Sequence, residues 1–169
     1  NGQKKLYEQN GCKEVYNTGN LMDSRNFALE HSFKNNSICI QLSDDIKKVT
    51  TNKNFVKKRI VPLDEAIEDI VGKFKKINGV YLMGVPPTDN FFFANKIVVE
   101  NKFCIGDMLF VKPNELRFDN QLTLKEDYDF TLQHIQKAKV LRYQKYLFTF
   151  QHYSNVGGAV DIRNDKEEQ

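Results

Sequence analysis

The chain has 169 residues, 40% hydrophobic and 28% charged, with a net charge of +3. That length suits one compact domain with a substantial core, and no apolar run reaches the ~18 residues of a membrane span. No signal-peptide pattern opens the sequence, and the mild positive charge permits a nucleic-acid partner without requiring one. Cys12, Cys39 and Cys104 are odd in number and far apart, which argues against a disulfide framework or zinc site. They favour a reducing, intracellular setting, cytoplasmic or nuclear.

The opening Asn1-Gly2-Gln3 is polar and lacks a methionine, which predicts that a strand or two precedes the chain. Residues 1–20 read as loop, with one short strand near 14–16. Met22, Asn26, Leu29 and Phe33 then recur at helical spacing, with Asp23 or Ser24 as N-cap and Asn35-Asn36 as stop. Ile38-Cys39-Ile40-Gln41-Leu42 follows as a buried strand and delivers Ser43-Asp44-Asp45 at its carboxyl end. The basic stretch 47–59 reads as a loop or exposed strand. Leu63, Ile67, Ile70, Val71, Phe74 and Ile77 form one helical stripe, entered at Pro62 and followed by Gly79.

Residues 80–85 predict a buried strand, 86–90 a turn, and Phe91-Phe92-Phe93 a core cluster or, following Pro-Pro-Thr-Asp-Asn, part of a substrate-facing loop. Short strands are expected at 97–99, 103–105 and 108–111. Thr123-Leu124-Lys125-Glu126 matches a capping box, and the helix behind it places Leu124, Tyr128, Leu132 and Ile135 on one face. His31 and His134 then fall on polar faces. Residues 140–150 read as an aromatic-rich strand or hairpin. The whole predicts a single α/β domain over 1–158, a mixed central sheet flanked by helices, with a charged tail at 159–169.

Four groups of residues carry chemistry. Two adjacent carboxylates, Asp44 and Asp45, at the end of a strand sit where open α/β sheets bind ligands. Such a pair either caps the next turn or offers oxygen ligands to a hard divalent cation, magnesium or manganese. Arg25-Asn26 opens the preceding helix, whose amino end lies near that strand's carboxyl end and favours anions. Glu126 has a capping duty available, which leaves Asp127 as the better general base. His152 follows a strand, where it is either structural or a late ligand for metal or phosphate. No Walker loop or Gly-x-Gly-x-x-Gly is present, and no cysteine or serine has a base at recognisable spacing.

Read in order, Thr18-Gly19-Asn20, Ser24 to Leu29 and Ser43-Asp44-Asp45-Ile46 resemble the donor half of a GT-A glycosyltransferase. Gly79 to Val85, Asp89-Asn90-Phe91-Phe92 and Lys125-Glu126-Asp127-Tyr128 are similar to the TET-associated glycosyltransferases, and Val140 to Tyr143 and Gly157-Gly158 suit the same pattern. Those proteins are the phage and eukaryotic relatives of the base J glucosyltransferase, which glycosylate hydroxymethylated pyrimidines in DNA. The resemblance implies a GT-A-like fold and a metal-dependent, inverting hexosyl transfer, with a UDP-sugar as donor and hydroxymethylated DNA as acceptor.

It further implies that Asp45 holds the metal and that Asp44 assists at metal, ribose or sugar. Arg25, Asn26 and Ser43 would contact the donor, Asp127 and Glu126 would act in catalysis, and His152 would join the metal or diphosphate. Ser43 stands where the Asp-x-Asp pattern has its first acid, and the first nucleotide-binding strand of that fold is not evident. A glycan or small-molecule acceptor remains open within the enzyme class. A non-catalytic binding module of the same fold is the alternative outside it.

Overall fold

The computed structural model describes residues 2–53, 57–122 and 124–151. Its elements are α1 (Gly2–Gln9), α2 (Leu21–Lys34), β1 (Cys39–Leu42), β2 (Ile46–Lys53), β3 (Lys57–Ile60), α3 (Leu63–Lys75), β4 (Val80–Gly84), a single 3-10 turn (Phe91–Phe93), β5 (Val98–Glu100), β6 (Met108–Val111), α4 (Glu126–Lys137), β7 (Lys139–Tyr143) and β8 (Tyr146–Phe150). Five strands form a mixed sheet in the order β1-β6-β4-β7-β5, and β3-β2-β8 form a smaller antiparallel sheet. In the large sheet β6 is antiparallel to both β1 and β4, β4 is parallel to β7, and β5 is antiparallel to β7. So β1, β4 and β7 all run one way, and their carboxyl ends share one edge.

Period-two alternation divides the core between the two faces of this sheet. Met83, Phe110 and Leu141 pack against Ile70 and Phe74 of α3 and against Val49 and Phe148 of the small sheet. On the other face Leu82, Leu109, Val111 and Val140 meet Met22 and Leu29 of α2 and Phe130 of α4. Phe74, Phe110 and Phe130 are fully buried, and each such ring contributes about 1.5–3 kcal/mol by leaving water. The result is helix, sheet, helix-plus-small-sheet, a mixed α/β architecture as the alternation of elements predicts.

Several local expectations are corrected. Residues 2–9 are helical rather than loop, and 14–16 form no strand. α2 begins at Leu21 because Asn20 caps it: Asn20 Oδ1 accepts from the Asp23 amide at 2.9 Å, while the Asp23 carboxylate turns back to the Asn20 amide. β1 is an edge strand with Ile40 and Leu42 exposed, not a buried one. Residues 103–105 are irregular. Within the basic stretch, β2 and β3 pair antiparallel, and β2 is central to the small sheet. β7 and β8 do not pair with each other but belong to different sheets.

The largest corrections concern rings. Phe92 and Phe93 are 88% and 72% exposed, because the 3-10 turn that holds them stands outside both cores. On α4 the buried residues are Phe130, Thr131 and His134, while Tyr128 and Leu132 face solvent. Phe130 stacks on Phe118 at 3.9 Å, which draws that face inward. His134 tolerates burial because both ring nitrogens are satisfied: Nδ1 donates to the Phe130 carbonyl at 2.8 Å, and Nε2 accepts from Asn114 at 3.3 Å. Burial holds its pKa below the ordinary value, which favours that neutral ring.

Candidate functional site

The turn between β1 and β2 carries Ser43, Asp44 and Asp45. Ser43 organises it. Its hydroxyl lies 3.1 Å from the Asp45 amide, which donates to it, and 3.4 Å from Asp45 Oδ2. The Ser43 amide donates to the Asp107 carbonyl at 2.8 Å, and the Asp45 carbonyl accepts from the Gln151 amide at 3.0 Å. A serine side chain bridging two residues along is the ordinary chemistry of a hydroxyl turn. Asp44 is exposed and Asp45 half-buried, so both carboxylates remain open to solvent.

Arg25 comes from the second turn of α2, one turn later than expected, because Asn20 rather than Asp23 or Ser24 caps the helix. Its Nη1 donates to Gln41 Oε1 at 3.0 Å and to the Gly106 carbonyl at 3.1 Å, and its Nη2 lies 3.2 Å from Glu126 Oε1. The guanidinium also sits 5.2 Å from the Phe118 ring centroid, a cation–π distance. Its Nε is buried with no acceptor among the described residues. Gln41 completes the clamp by donating to the Arg25 carbonyl at 3.0 Å.

α4 opens later than the capping box predicts. Its N-cap is Lys125, in the left-handed region at φ 61°, with no side-chain cap; Thr123 lies outside the described residues. Glu126 is therefore the first helical residue, and its carboxylate goes to Arg25. Asp127 Oδ2 accepts from the Gly106 amide at 2.9 Å, and its Oδ1 from the Tyr128 amide at 2.9 Å. Each oxygen keeps a second lone pair for another donor.

These pieces meet on the turn at 105–107. Gly106 touches Arg25 and Asp127, while Asp107 beside it holds Ser43. A Cβ at Gly106 would stand 2.8 Å from Arg25 Nη2 and 3.3 Å from Asp127 Cβ, so a side chain there would have to displace the guanidinium from its partners. The structure thus brings Arg25, Ser43, Asp44, Asp45, Glu126 and Asp127 to the sheet edge where β1, β4 and β7 end.

Asn26 faces elsewhere. Its amide accepts from the Phe118 N–H at 2.8 Å and donates to the Phe118 carbonyl and to Asn120, pinning the loop that leads towards α4. His152 lies outside the described residues. Among the described residues no three of His, Cys, Asp and Glu converge as a metal cluster. The donor set still suits a hard cation, since magnesium and manganese use one or two protein carboxylates and take the rest of their shell from phosphate and water.

Sequence reasoning missed Gln41 and Gly106. A polar residue alternating inward within an apolar strand was the available signal for Gln41; an isolated glycine before a strand carries none. Cys104 offers no nucleophile, because burial pushes its thiol up to about 12. No helix among the described residues is long and apolar enough to cross a membrane. No protein-family model, curated protein or solved structure matches the chain.

Proposed function

We propose that the protein is a metal-dependent glycosyltransferase that moves a hexose from a nucleotide-sugar, most simply a UDP-sugar, to a hydroxymethylated pyrimidine in DNA. One observation carries the reading: two adjacent residues, Gly106 and Asp107, touch both the Arg25–Asp127 group and the Ser43–Asp45 turn. Acidic and cationic groups distant in sequence thereby share the carboxyl edge of an α/β sheet, where ligands of such sheets bind.

In this reading Asp45 and Asp44 hold a divalent cation, which when bound neutralises the charge of the leaving diphosphate. Ser43 holds the turn in shape. Arg25, anchored by Gln41 and Glu126, sets the positive potential of the site. Asp127 takes the proton of the acceptor hydroxyl through a free lone pair as that oxygen attacks the anomeric carbon and the diphosphate departs, inverting the centre. Exposed Phe92 and Phe93, on the segment that leaves the carboxyl end of β4, offer faces on which an unstacked base can rest. Lys47 and Lys48, exposed just beyond Asp45, suit a phosphate backbone.

A second reading, a binding module without chemistry, is favoured by the engagement of Glu126 with Arg25 and of both Asp127 oxygens with amides. Transfer of labelled glucose from UDP-glucose to hydroxymethyluracil or hydroxymethylcytosine DNA separates the two. The enzyme reading expects manganese-dependent incorporation above unmodified DNA, lost in Asp45→Asn and reduced about a hundredfold in Asp127→Asn. Manganese-dependent UDP-glucose binding without incorporation in any DNA would leave the module. No binding at all, with Asp45→Asn behaving as the parent, would end the nucleotide-sugar reading.

A further inference from the structure

The other end of the central sheet has a feature unrelated to the acidic edge. Among the described residues β1 pairs with β6 alone, so its second edge presents backbone N–H and C=O groups that no described strand pairs. Cys39-Ile40-Gln41-Leu42 contains neither proline nor charge, and apart from its shortness it lacks the devices that normally blunt an edge. Beside it, on the α3 face of the sheet, runs a groove of about 510 Å³. Its floor is Ile38, Ile40 and Val71, and its polar wall is Ser37, Lys75 and Lys112.

The two cations decide what fits. Among the described residues no carboxylate lines the groove. The Lys112 ammonium lies 4.5 Å from the Phe74 ring centroid and donates to the Ile77 carbonyl, which leaves it further donors. Burial lowers its pKa, a sign that it is partly withdrawn from water without a carboxylate partner. A second copy paired edge to edge through β1 would bring both lysine pairs to one seam, where like charges repel.

We infer that the free edge of β1 and the adjoining groove form a docking site for an extended acidic polypeptide segment, which adds to the sheet as a strand. Its backbone would pair with the outer edge of β1, its alternate apolar side chains would cover Ile38, Ile40 and Val71, and a carboxylate would meet Lys75 and Lys112. This site is independent of the glycosyltransferase reading and stands or falls without it.

Short synthetic peptides of alternating valine and threonine, each with one glutamate placed at a different register, are the probes. Binding is read by fluorescence anisotropy, and the Cys39–Leu42 amides by hydrogen exchange. The expected result is slowed exchange in β1 with a glutamate peptide. Affinity should be weaker by at least about tenfold when the peptide's edge-facing amides are N-methylated, because methylation removes the backbone hydrogen bonds to β1. Lys112→Glu should shift the preference to lysine peptides, and Lys75→Glu, at an exposed helical position, repeats the test if the first variant fails to fold. Unchanged β1 exchange with every peptide would overturn the site, as would binding indifferent to N-methylation. A dimer in sedimentation whose β1 amides are protected without peptide would overturn the choice of occupant.

Discussion

Of the ion pairs that tie helices to other parts of this fold, two differ sharply in burial, and the shorter of these two is the more exposed. Asp69 of α3 meets Lys145, in the turn between β7 and β8, at 2.8 Å, with both side chains 38% exposed. Arg25 of α2 meets Glu126 of α4 at 3.2 Å, with side chains 14% and 13% exposed. Water and salt screen the first pair, so its Coulomb energy is largely offset by hydration lost and side-chain freedom given up. The second lies where an unpaired charge is costly, and its guanidinium also holds Gln41 and the Gly106 carbonyl. Burial and the number of satisfied bonds, more than distance, therefore rank the two.

Arg25→Met is the sharpest test of that ranking. It leaves Glu126 and Gln41 without their donor and is expected to cost about 3–5 kcal/mol, read from the urea midpoint at constant slope. Arg25→Lys should recover only part of this, because one ammonium cannot span Gln41, Gly106 and Glu126. A loss below that of any Asp69 or Lys145 variant would break the comparison.

Gly106→Ala comes next. Its methyl group would meet Arg25 and Asp127, and the displacement is expected to cost about 1–3 kcal/mol. If the node only supports the fold, thermal stability alone should change. If it also forms the proposed active site, glucose transfer should fall further than stability accounts for.

The cluster around Asp69 has a pH signature instead. Burial first, then the Asp69 carboxylate, push the Tyr143 phenol up to about 12. An unfolded tyrosine titrates near 10. The folded state thus keeps a proton that the unfolded chain has already lost, so stability is full below about pH 10 and declines as pH rises to about 12. Tyr143→Phe should flatten that decline, at a cost of about 1 kcal/mol at neutral pH for the bond to Asp69. Equal alkaline slopes in parent and variant would show that another group dominates.

The smallest effect is expected for Lys145→Met. Burial alone would raise the Asp69 carboxyl, but hydrogen bonds from Lys145, Tyr143 and Tyr146 outweigh it and hold the group below its ordinary value. That contribution is present at neutral pH and is lost as pH falls through the lowered value. At this exposure the substitution should cost less than about 1 kcal/mol at pH 7 and diminish further in high salt. Urea titrations in low and high salt measure both.

Much of the frame was legible in the residues. The α3 stripe with Pro62 before it and Gly79 after it, the strands at 80–85 and 108–111, and the acidic turn after 38–42 all follow from patterns over adjacent positions. α4 was misread because its strongest helical stripe, Tyr128 and Leu132 included, is not the one that finds a partner. Packing of Phe130 on Phe118 and the bond between Asn114 and His134 join α4 to a loop outside it, which periodicity along one helix does not register.

The same division holds for the candidate site. Local chemistry alone determined that Asp44 and Asp45 would stand together after a strand and that Asp127 would lie in the first turn of a helix; Arg25, expected to open its helix, falls in the second turn because Asn20 caps α2 earlier. Tertiary structure alone decided which of them meet. Glu126 went to Arg25, 101 positions away, because α4 starts two residues past Leu124 and its first carboxylate reaches a guanidinium already held by Gln41. Asn26 went to the loop at 118–120 instead, since a side-chain amide matches a backbone N–H and C=O pair at once. Side-chain type and spacing specify what each residue can do; sheet order and burial determine what it does.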